Sequence, residues 1–285
     1  MNPIVVQLAN GNAFFIGVAL TVVAFGLRLR LKARLPVMVL MVAWLVGISL
    51  VVLSATPISF WLYGGWFVLC IAARVAFNVR ISLKSKIFIT GGFAAFSLVI
   101  CLIELPFHLA RTISVSRSQT VYVLGDSISA GIESKEETWP NVLGDLSGLK
   151  TVNLARAGAT VDTAMDQAVR IKSTNSLVLV EIGGNDLLGN TDSRTFYDQL
   201  DKLLGKLKDK NAQIAMFELP LLPFWNEFGR DQRLLARKYR VTLIPKKYLV
   251  SVFAGKGDTI DGLHLSQKGH NELAKEIYQI LRIRP

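Results

Sequence analysis

Four apolar segments fill the first 110 residues, and they constrain the fold more than any other feature of the chain. They run from about Ile4 to Leu27, Leu35 to Ala55, Ile58 to Ala76 and Ile87 to Leu109. Each is close to the ~20 residues that an α-helix needs to cross ~30 Å of hydrocarbon. A backbone inside lipid has no water to bond to, so such segments fold as helices. We therefore predict a transmembrane region over residues 1–112 with about four spanning helices.

Two groups of basic residues separate these segments, and the connection Thr56-Pro57 between segments two and three carries no charge. The groups are Arg28, Arg30, Lys32 and Arg34, and then Arg74, Arg80, Lys84 and Lys86. The positive-inside rule places both groups in the cytoplasm and everything after segment four outside. A cleaved signal peptide is not expected, because no basic residue precedes the first segment and three more segments follow it. The sequence thus predicts a multi-pass protein of a bacterial inner membrane, with the bilayer as a partner and its C-terminal half in the periplasm or at the cell exterior.

The distribution of charge argues against nucleic acid as a partner. The net charge is +11, but residues 1–118 hold ten basic residues against one acid, Glu104, which leaves only +2 for the rest. A protein that binds nucleic acid carries its basic patch on the folded domain. Glu104 and His108 lie one turn apart near the end of segment four, and we interpret them as interfacial groups. Cys70 and Cys101 lie inside apolar segments and have no spacing typical of a metal site, so we interpret them as packing residues.

After residue 120 short apolar runs alternate with amphipathic helical patterns. The candidate strands are Thr120–Leu124, Thr151–Leu154, Leu177–Ile182, Gln213–Glu218 and Val241–Ile244. Strands that alternate with helices favour an α/β domain with a parallel sheet covered on both faces. We predict a five-stranded parallel sheet within a domain of residues 120–285, joined to the membrane region by a linker over 113–119.

Polar residues follow three of these strands directly. Ser127 follows the first strand, Gly158 the second and Asn185 the third. The carboxyl ends of parallel strands meet at one edge of a sheet, where ligands bind. Asp261 and His264 lie on the loop before the last helix. A serine nucleophile, a histidine base, an aspartate that orients it and an amide that holds an oxyanion are the groups required for acyl transfer from an ester.

Each residue alone has a plainer interpretation: a turn serine, a loop glycine, a helix cap or a packed histidine. Four such groups in the right order make the catalytic interpretation the stronger one. Asp126 and Asp186 are expected to hydrogen-bond loop backbone rather than to react. His270, within the last helix, is expected to be structural.

Residues 120–283 resemble the SGNH (GDSL-like) hydrolases. The resemblance rests on four blocks in order: Gly125-Asp126-Ser127, Gly158, Gly183-x-Asn185-Asp186 and Asp261-x-x-His264. The first block continues with Ile128 where the family has leucine, a near-isosteric change. The resemblance implies an α/β/α fold, Ser127 as nucleophile, His264 as general base and Asp261 as the residue that orients it. It also implies an oxyanion hole made of the Ser127 and Gly158 backbone N–H groups and the Asn185 amide, with no metal or organic cofactor.

These observations predict a membrane-anchored serine esterase that acts on acyl or acetyl esters of lipids or envelope glycans. An O-acyltransferase that uses the same acyl-serine to modify an envelope glycan is the alternative, because triad chemistry does not distinguish water from another alcohol. A non-catalytic membrane scaffold is a third interpretation. Phe224 and Trp225 follow Pro223 and are candidates to line the substrate pocket, although aromatic residues there are equally often core. The sequence indicates neither the ester nor the oligomeric state.

Overall fold

The computed structural model describes residues 2–30, 34–133, 135–172 and 174–284, without the side chains of Arg34 and Leu35. The chain divides into two compact units. The N-terminal unit comprises residues 7–107 and 222–226. The C-terminal unit comprises residues 2–6, 108–221 and 227–284. Lys32, from the first basic group, lies outside the described residues.

The described part of the first 110 residues forms five helices and a short 3-10 turn at Leu105–Phe107. The helices are α1 (Pro3–Ala9), α2 (Asn12–Arg28), α3 (Arg34–Leu53), α4 (Phe60–Ala76) and α5 (Leu83–Glu104).

Two helical stretches of the described chain, Pro36–Leu53 and Leu83–Phe107, are long and apolar enough to cross a membrane. A third span exists only if α1 and α2 count together, because they meet at a 94° bend. Gly11 precedes α2 with φ 82°, a left-handed conformation that interrupts the helix. Helix α4 has 17 residues, fewer than these candidates but within the range that can cross a bilayer. The structure thus supports two or three candidate spans rather than a clear four, and a crossing by α4 stays a prediction.

Aromatic side chains and close helix contacts hold the N-terminal unit together. Phe25 packs edge-on against Phe93, with ring centres 5.4 Å apart. The buried Trp66 indole donates to Ser97 Oγ at 3.0 Å. A Cβ on Gly17 would lie 2.5 Å from the carbonyl oxygen of Gly47, so α2 and α3 meet at a distance that only glycine permits.

Glu104 corrects another expectation. Its side chain is buried at the end of α5 rather than exposed at an interface. His108, one turn later, is half-buried.

The C-terminal unit contains seven strands in the described chain. These are β1 (Ile113–Ser116), β2 (Thr120–Gly125), β3 (Thr151–Asn153), β4 (Ser176–Glu181), β5 (Gln213–Phe217), β6 (Thr242–Ile244) and β7 (Leu281–Arg284). Five of them form one parallel sheet in the order β3-β2-β4-β5-β6. Every residue of β4 is buried, which explains why its middle residues, 177–180, are all apolar. The predicted five-stranded parallel sheet is confirmed.

Eight helices of the described chain accompany this sheet. They are α6 (Ser127–Ala130), α7 (Trp139–Ser147), α8 (Ala164–Val169), α9 (Gly184–Leu188), α10 (Ser193–Asp209), α11 (Asn226–Tyr239), α12 (Lys247–Ala254) and α13 (Gln267–Ile280). Trp139 of α7 is fully buried and meets Phe217 of β5 edge-on, with ring centres 5.8 Å apart.

The expected linker over residues 113–119 is instead part of the fold. Strand β1 pairs in parallel with β7, Ile113 opposite Leu281, in a second sheet of two strands. Ile113 and Val115 are buried in the core. The sequence pattern misses this pair because each strand has four residues and its partner lies at the other end of the chain.

Candidate active site

Three of the predicted site residues lie at the carboxyl ends of three neighbouring strands. Ser127 follows β2 and begins α6, Asn185 lies in α9 after β4, and Gly158 lies in the loop after β3. Strand β2 pairs with β3 on one side and with β4 on the other, so the strand order reverses here. Such a switch point opens a crevice at the edge of an α/β sheet. The three residues thus follow neighbouring strands of the sheet, and their roles in catalysis stay a prediction.

The turn that carries Ser127 is tightly constrained at Gly125. A Cβ on Gly125 would lie 2.7 Å from Ser129 Oγ and 2.8 Å from the Glu181 carbonyl oxygen. The Gln167 side chain accepts from the Gly125 N–H and donates to its C=O, both at 2.9 Å. The close approach requires glycine, and the amide clamp fixes the chain just before Ser127.

Two buried aspartates hold the neighbouring loops. Asp126 caps α6, and its Oδ1 accepts from the Ile128 N–H at 3.0 Å. Asp186 Oδ2 accepts from the Val161 N–H at 2.9 Å and so ties α9 to the loop that contains Gly158. Burial raises the pKa of Asp126 to about 6 and also raises the pKa of Asp186. Both contacts are the backbone hydrogen bonds expected of these residues.

Asn185 contacts the loop that contains Gly158. Asn185 Nδ2 donates to the Ala159 carbonyl oxygen at 2.9 Å and has a longer contact of 3.4 Å with Asp126 Oδ2. The long contact leaves one N–H of the amide only weakly held. Gly158 has φ 75°, and no atom lies within 4 Å of the position that its Cβ would take. The Cβ position of Gly158 thus faces open space, beside the loop that Asn185 contacts.

Asp261 and His264 form a short-range pair on the loop before α13. Asp261 Oδ2 lies 2.6 Å from His264 Nδ1. Its other oxygen accepts from the backbone N–H groups of Leu263 and His264, at 3.0 and 2.8 Å. The hydrogen bond from the His264 ring is the largest of the causes that hold the pKa of Asp261 far below its usual range. An ionised Asp261 requires the proton on Nδ1, which leaves Nε2 of a neutral His264 as an acceptor.

The proposed nucleophile and base lie on different segments: Ser127 begins α6, and His264 lies in the loop before α13. The Ser127 side chain is half-buried, and within the described ranges its hydroxyl makes no hydrogen bond. In ligand-free hydrolases the contact between nucleophile and base is often long and tightens when substrate binds.

Comparison with known proteins identifies the family. The model of the GDSL-like Lipase/Acylhydrolase family matches residues 123–271, more than half of the chain. This chain belongs to that family. It is a serine ester hydrolase, as its named relatives indicate.

Two relatives of this hydrolase are similar over most of their own length. An arylesterase of Vibrio mimicus is 26% identical over 198 residues, which cover 64% of this chain and 98% of the relative. A thioesterase 1/protease 1/lysophospholipase L1 of Escherichia coli K12 is 29% identical over 150 residues, or 49% of this chain and 72% of the relative. Among solved structures, the psychrotrophic esterase EstA from Pseudoalteromonas sp. superposes with a TM-score of 0.51 at 22% identity. That similarity covers 57% of this chain and 96% of EstA, and it supports the fold of the C-terminal unit.

Glu181 is a residue at the site of this hydrolase that sequence reasoning missed. It ends β4, is buried, and accepts a 2.8 Å hydrogen bond from the Ser129 hydroxyl. Burial first, and the charge of Asp126 second, raise the pKa of Glu181 well above its usual value. The available signal was an acid in the otherwise apolar run LVLVEI.

The predicted pocket residues are less tightly placed. The side chain of Phe224 is 74% exposed, and its backbone has φ 71°. Phe224 and Trp225 belong to the segment 222–226, which groups with the N-terminal unit. Their role in lining a pocket stays a prediction.

His270 connects α13 to the residues around the start of α7. The His270 ring is buried, its Nδ1 accepts from the Trp139 N–H at 3.2 Å, and its Nε2 lies 3.7 Å from Glu136 Oε2. These contacts hold α13 to the start of α7, consistent with a structural residue.

Among the described residues no cluster of three or more His, Cys, Asp or Glu side chains is arranged to bind a metal ion.

Proposed function

We propose that this hydrolase is anchored in the bacterial inner membrane and cleaves acyl or acetyl esters of lipids or envelope glycans at the outer face. The observation that supports the catalytic part is the 2.6 Å contact between Asp261 and His264, taken with the positions of Ser127 and Asn185 after the neighbouring strands β2 and β4. The relatives named arylesterase and thioesterase/lysophospholipase support ester cleavage but differ in their named substrates.

In the proposed reaction Ser127 Oγ attacks the ester carbonyl carbon while His264 Nε2 removes its proton. The carbonyl oxygen gains negative charge, which the N–H groups of Ser127, Gly158 and Asn185 stabilise. The C–O bond then breaks, and His264 gives its proton to the departing alcohol. A water molecule attacks the acyl-serine with His264 as base, which releases the carboxylic acid and restores Ser127. Asp261 holds the imidazole in the required tautomer and stabilises its charged form.

The membrane part of the proposal rests on the spanning candidates and on the basic residues that flank them. The Arg28 guanidinium and Lys86 Nζ lie over the same ring, Phe77, which supports α4 as the segment that returns the chain across the bilayer after α3. With α3, α4 and α5 all crossing, the positive-inside rule places both basic groups in the cytoplasm and the C-terminal unit outside. Single cysteines at Arg80 and Ser118 test this placement with an impermeant thiol reagent on intact cells. We expect labelling of Ser118→Cys and not of Arg80→Cys, above the background of the parent chain. The reverse pattern would place the C-terminal unit in the cytoplasm.

The catalytic test uses the full chain in detergent and p-nitrophenyl esters from acetyl to palmitoyl. We expect Ser127→Ala to lower kcat by about 10³-fold or more, the usual cost of losing a serine nucleophile. The exposed Ser118→Ala is the matched control and should keep wild-type activity. Wild-type turnover by Ser127→Ala would overturn the assignment. A maximum at acetyl would favour a glycan deacetylase, and a maximum at long chains would favour lipid esters.

The acyltransferase alternative shares the acyl-serine and differs only in the acceptor. Adding a soluble sugar alcohol to the same assay separates the two. For a hydrolase the free acid accounts for nearly all the product. For a transferase the acyl group appears mainly on the added alcohol, which would replace hydrolysis as the proposed activity.

A further inference from the structure

We propose that the end of the N-terminal unit that carries the basic residues binds the phosphate group of an anionic phospholipid. Six basic side chains described at this end divide into two classes. Arg28, Arg74 and Lys86 are half-buried, whereas Arg30, Arg80 and Lys84 are exposed. The proposal rests on the membrane placement proposed above and is independent of the esterase activity.

The half-buried cations lie over two aromatic rings. The Arg28 guanidinium is 5.6 Å from the centre of the Phe77 ring, and Lys86 Nζ is 6.0 Å from the same centre. The Arg74 guanidinium is 5.8 Å from the Trp44 ring. Cation–π contacts orient such side chains without neutralising them. Two positive charges therefore lie close to the Phe77 ring. A third, on Arg74, lies three residues before Phe77 near the end of α4.

A small cavity lies among these groups, between α2, α3 and α4. Its volume is about 80 Å³, and Arg28 and Arg74 line it together with Trp44 and Phe77. The remaining wall is mostly apolar, from residues such as Leu40. An apolar cavity with cations in its wall suits a lipid, whose phosphate and acyl chain are joined in one molecule. Two guanidinium groups also suit the planar, paired oxygens of a phosphate.

The N-terminal unit has little negative charge with which to balance this cluster. Residues 7–107 include one acid, Glu104. Glu104 ends α5, 18 residues after Lys86, so it is ~27 Å away along the helix. Partly buried cations lose hydration, and an anion from outside the unit offsets that loss. The cytoplasmic leaflet supplies anionic phospholipids at the depth where the basic residues are proposed to lie.

The test compares two triple variants of the full chain that remove equal charge from the same end of the N-terminal unit. Arg28→Gln/Arg74→Gln/Lys86→Gln changes the proposed site, and Arg30→Gln/Arg80→Gln/Lys84→Gln is the matched control. Each protein in neutral detergent is titrated with phosphatidylglycerol or phosphatidylcholine, and bound lipid is counted by native mass spectrometry. We expect the wild type and the control to prefer phosphatidylglycerol by about 10- to 100-fold, and the site variant to lose that preference.

Equal losses in both variants would show a general attraction to basic loops and would overturn the site. An unchanged preference in both would overturn it as well. Millimolar inorganic phosphate serves as competitor: full displacement of the lipid would identify a free anion as the ligand. If the site variant does not fold, Arg74→Lys replaces it, since lysine keeps the charge but loses the planar guanidinium, and we expect about a tenfold loss of preference. The cysteine labelling described above measures membrane placement separately, so its failure is distinguishable from failure of the lipid site.

Discussion

Ser129 lies two residues after the proposed nucleophile, and its buried hydroxyl donates a 2.8 Å hydrogen bond to Glu181 Oε2. The Trp139 indole donates to the same hydroxyl at 3.1 Å. The turn that carries Ser127 is thus held from inside the sheet by the Glu181 carboxyl group.

Glu181→Gln should keep activity at neutral pH, because the amide oxygen can still accept the hydrogen bond from the Ser129 hydroxyl. It should also change how stability depends on pH. The folded pKa of Glu181 is raised, so its contribution is fully present below the unfolded pKa and is lost as pH rises through the folded pKa. Relative to Glu181→Gln, the wild type should therefore lose free energy of unfolding above about pH 4.3, by at most ~1.4 kcal/mol per pH unit.

Urea unfolding of both proteins in detergent between pH 4.5 and 8 measures this difference. Glu181→Leu is the contrasting variant, since it leaves the Ser129 hydroxyl without its acceptor. We expect Glu181→Leu to lower activity at every pH. Parallel stability profiles for the wild type and Glu181→Gln would show that Glu181 is ionised in the folded state.

Asn185→Ala tests the proposed oxyanion hole. Removing one donor from such a site lowers kcat by about 10²–10³-fold, with little change in KM, because the bond strengthens only as charge develops. The loss of the 2.9 Å bond to Ala159 also frees the loop, so stability is measured alongside. A loss that appears in KM alone would point to ground-state binding instead.

Gly158→Ala tests the other donor, and the chain offers a control. Gly158 and Gly148 have φ 75° and 67°, and neither has an atom within 4 Å of the added Cβ. Each alanine should cost about 1 kcal/mol of stability, from the left-handed backbone alone. Only Gly158→Ala should lower kcat, because its Cβ enters the space beside the proposed oxyanion. Equal kcat values for the two variants would remove Gly158 from the site.

The residues that could be predicted from the sequence are those fixed by local pattern. Ser127, Gly158 and Asn185 each follow a strand that is apolar enough to recognise, and parallel strands bring their ends together. Contacts between distant segments gave no such signal. The pairing of Ile113 with Leu281 joins opposite ends of the chain, and Glu181 reads as one acid in an apolar strand until its partners are seen.

The structure shows fewer clear spanning helices than the four that the sequence predicts, and the physical reason is a different one. Hydropathy sums apolar residues along the chain and does not register a change of direction. Gly11 interrupts the first segment with a left-handed backbone, and α4 ends at Ala76 after 17 residues. A single glycine was therefore enough to turn one apparent span into two helices at 94°.

Asp261→Asn should abolish most activity while leaving the loop intact. The asparagine carbonyl oxygen can still accept from the Leu263 and His264 N–H groups, but its amide N–H₂ would face Nδ1 of the ring. That donor requires Nδ1 as acceptor and moves the imidazole proton to Nε2, so the base is lost. In a serine protease the same exchange lowers kcat about 10⁴-fold, and we expect a similar loss here. Asp192→Asn is the matched control, because Asp192 caps α10 with a 2.9 Å bond to the Thr195 N–H that asparagine can also accept.

The folded pKa of Asp261 is lowered, so its contribution to stability is present above the unfolded pKa and is lost as pH falls. Asp261 thus stays ionised across the pH range of the assay, and its titration cannot produce an acid limb in the activity profile. Near-wild-type kcat for Asp261→Asn at pH 7 would show that His264 does not depend on this carboxylate for its tautomer.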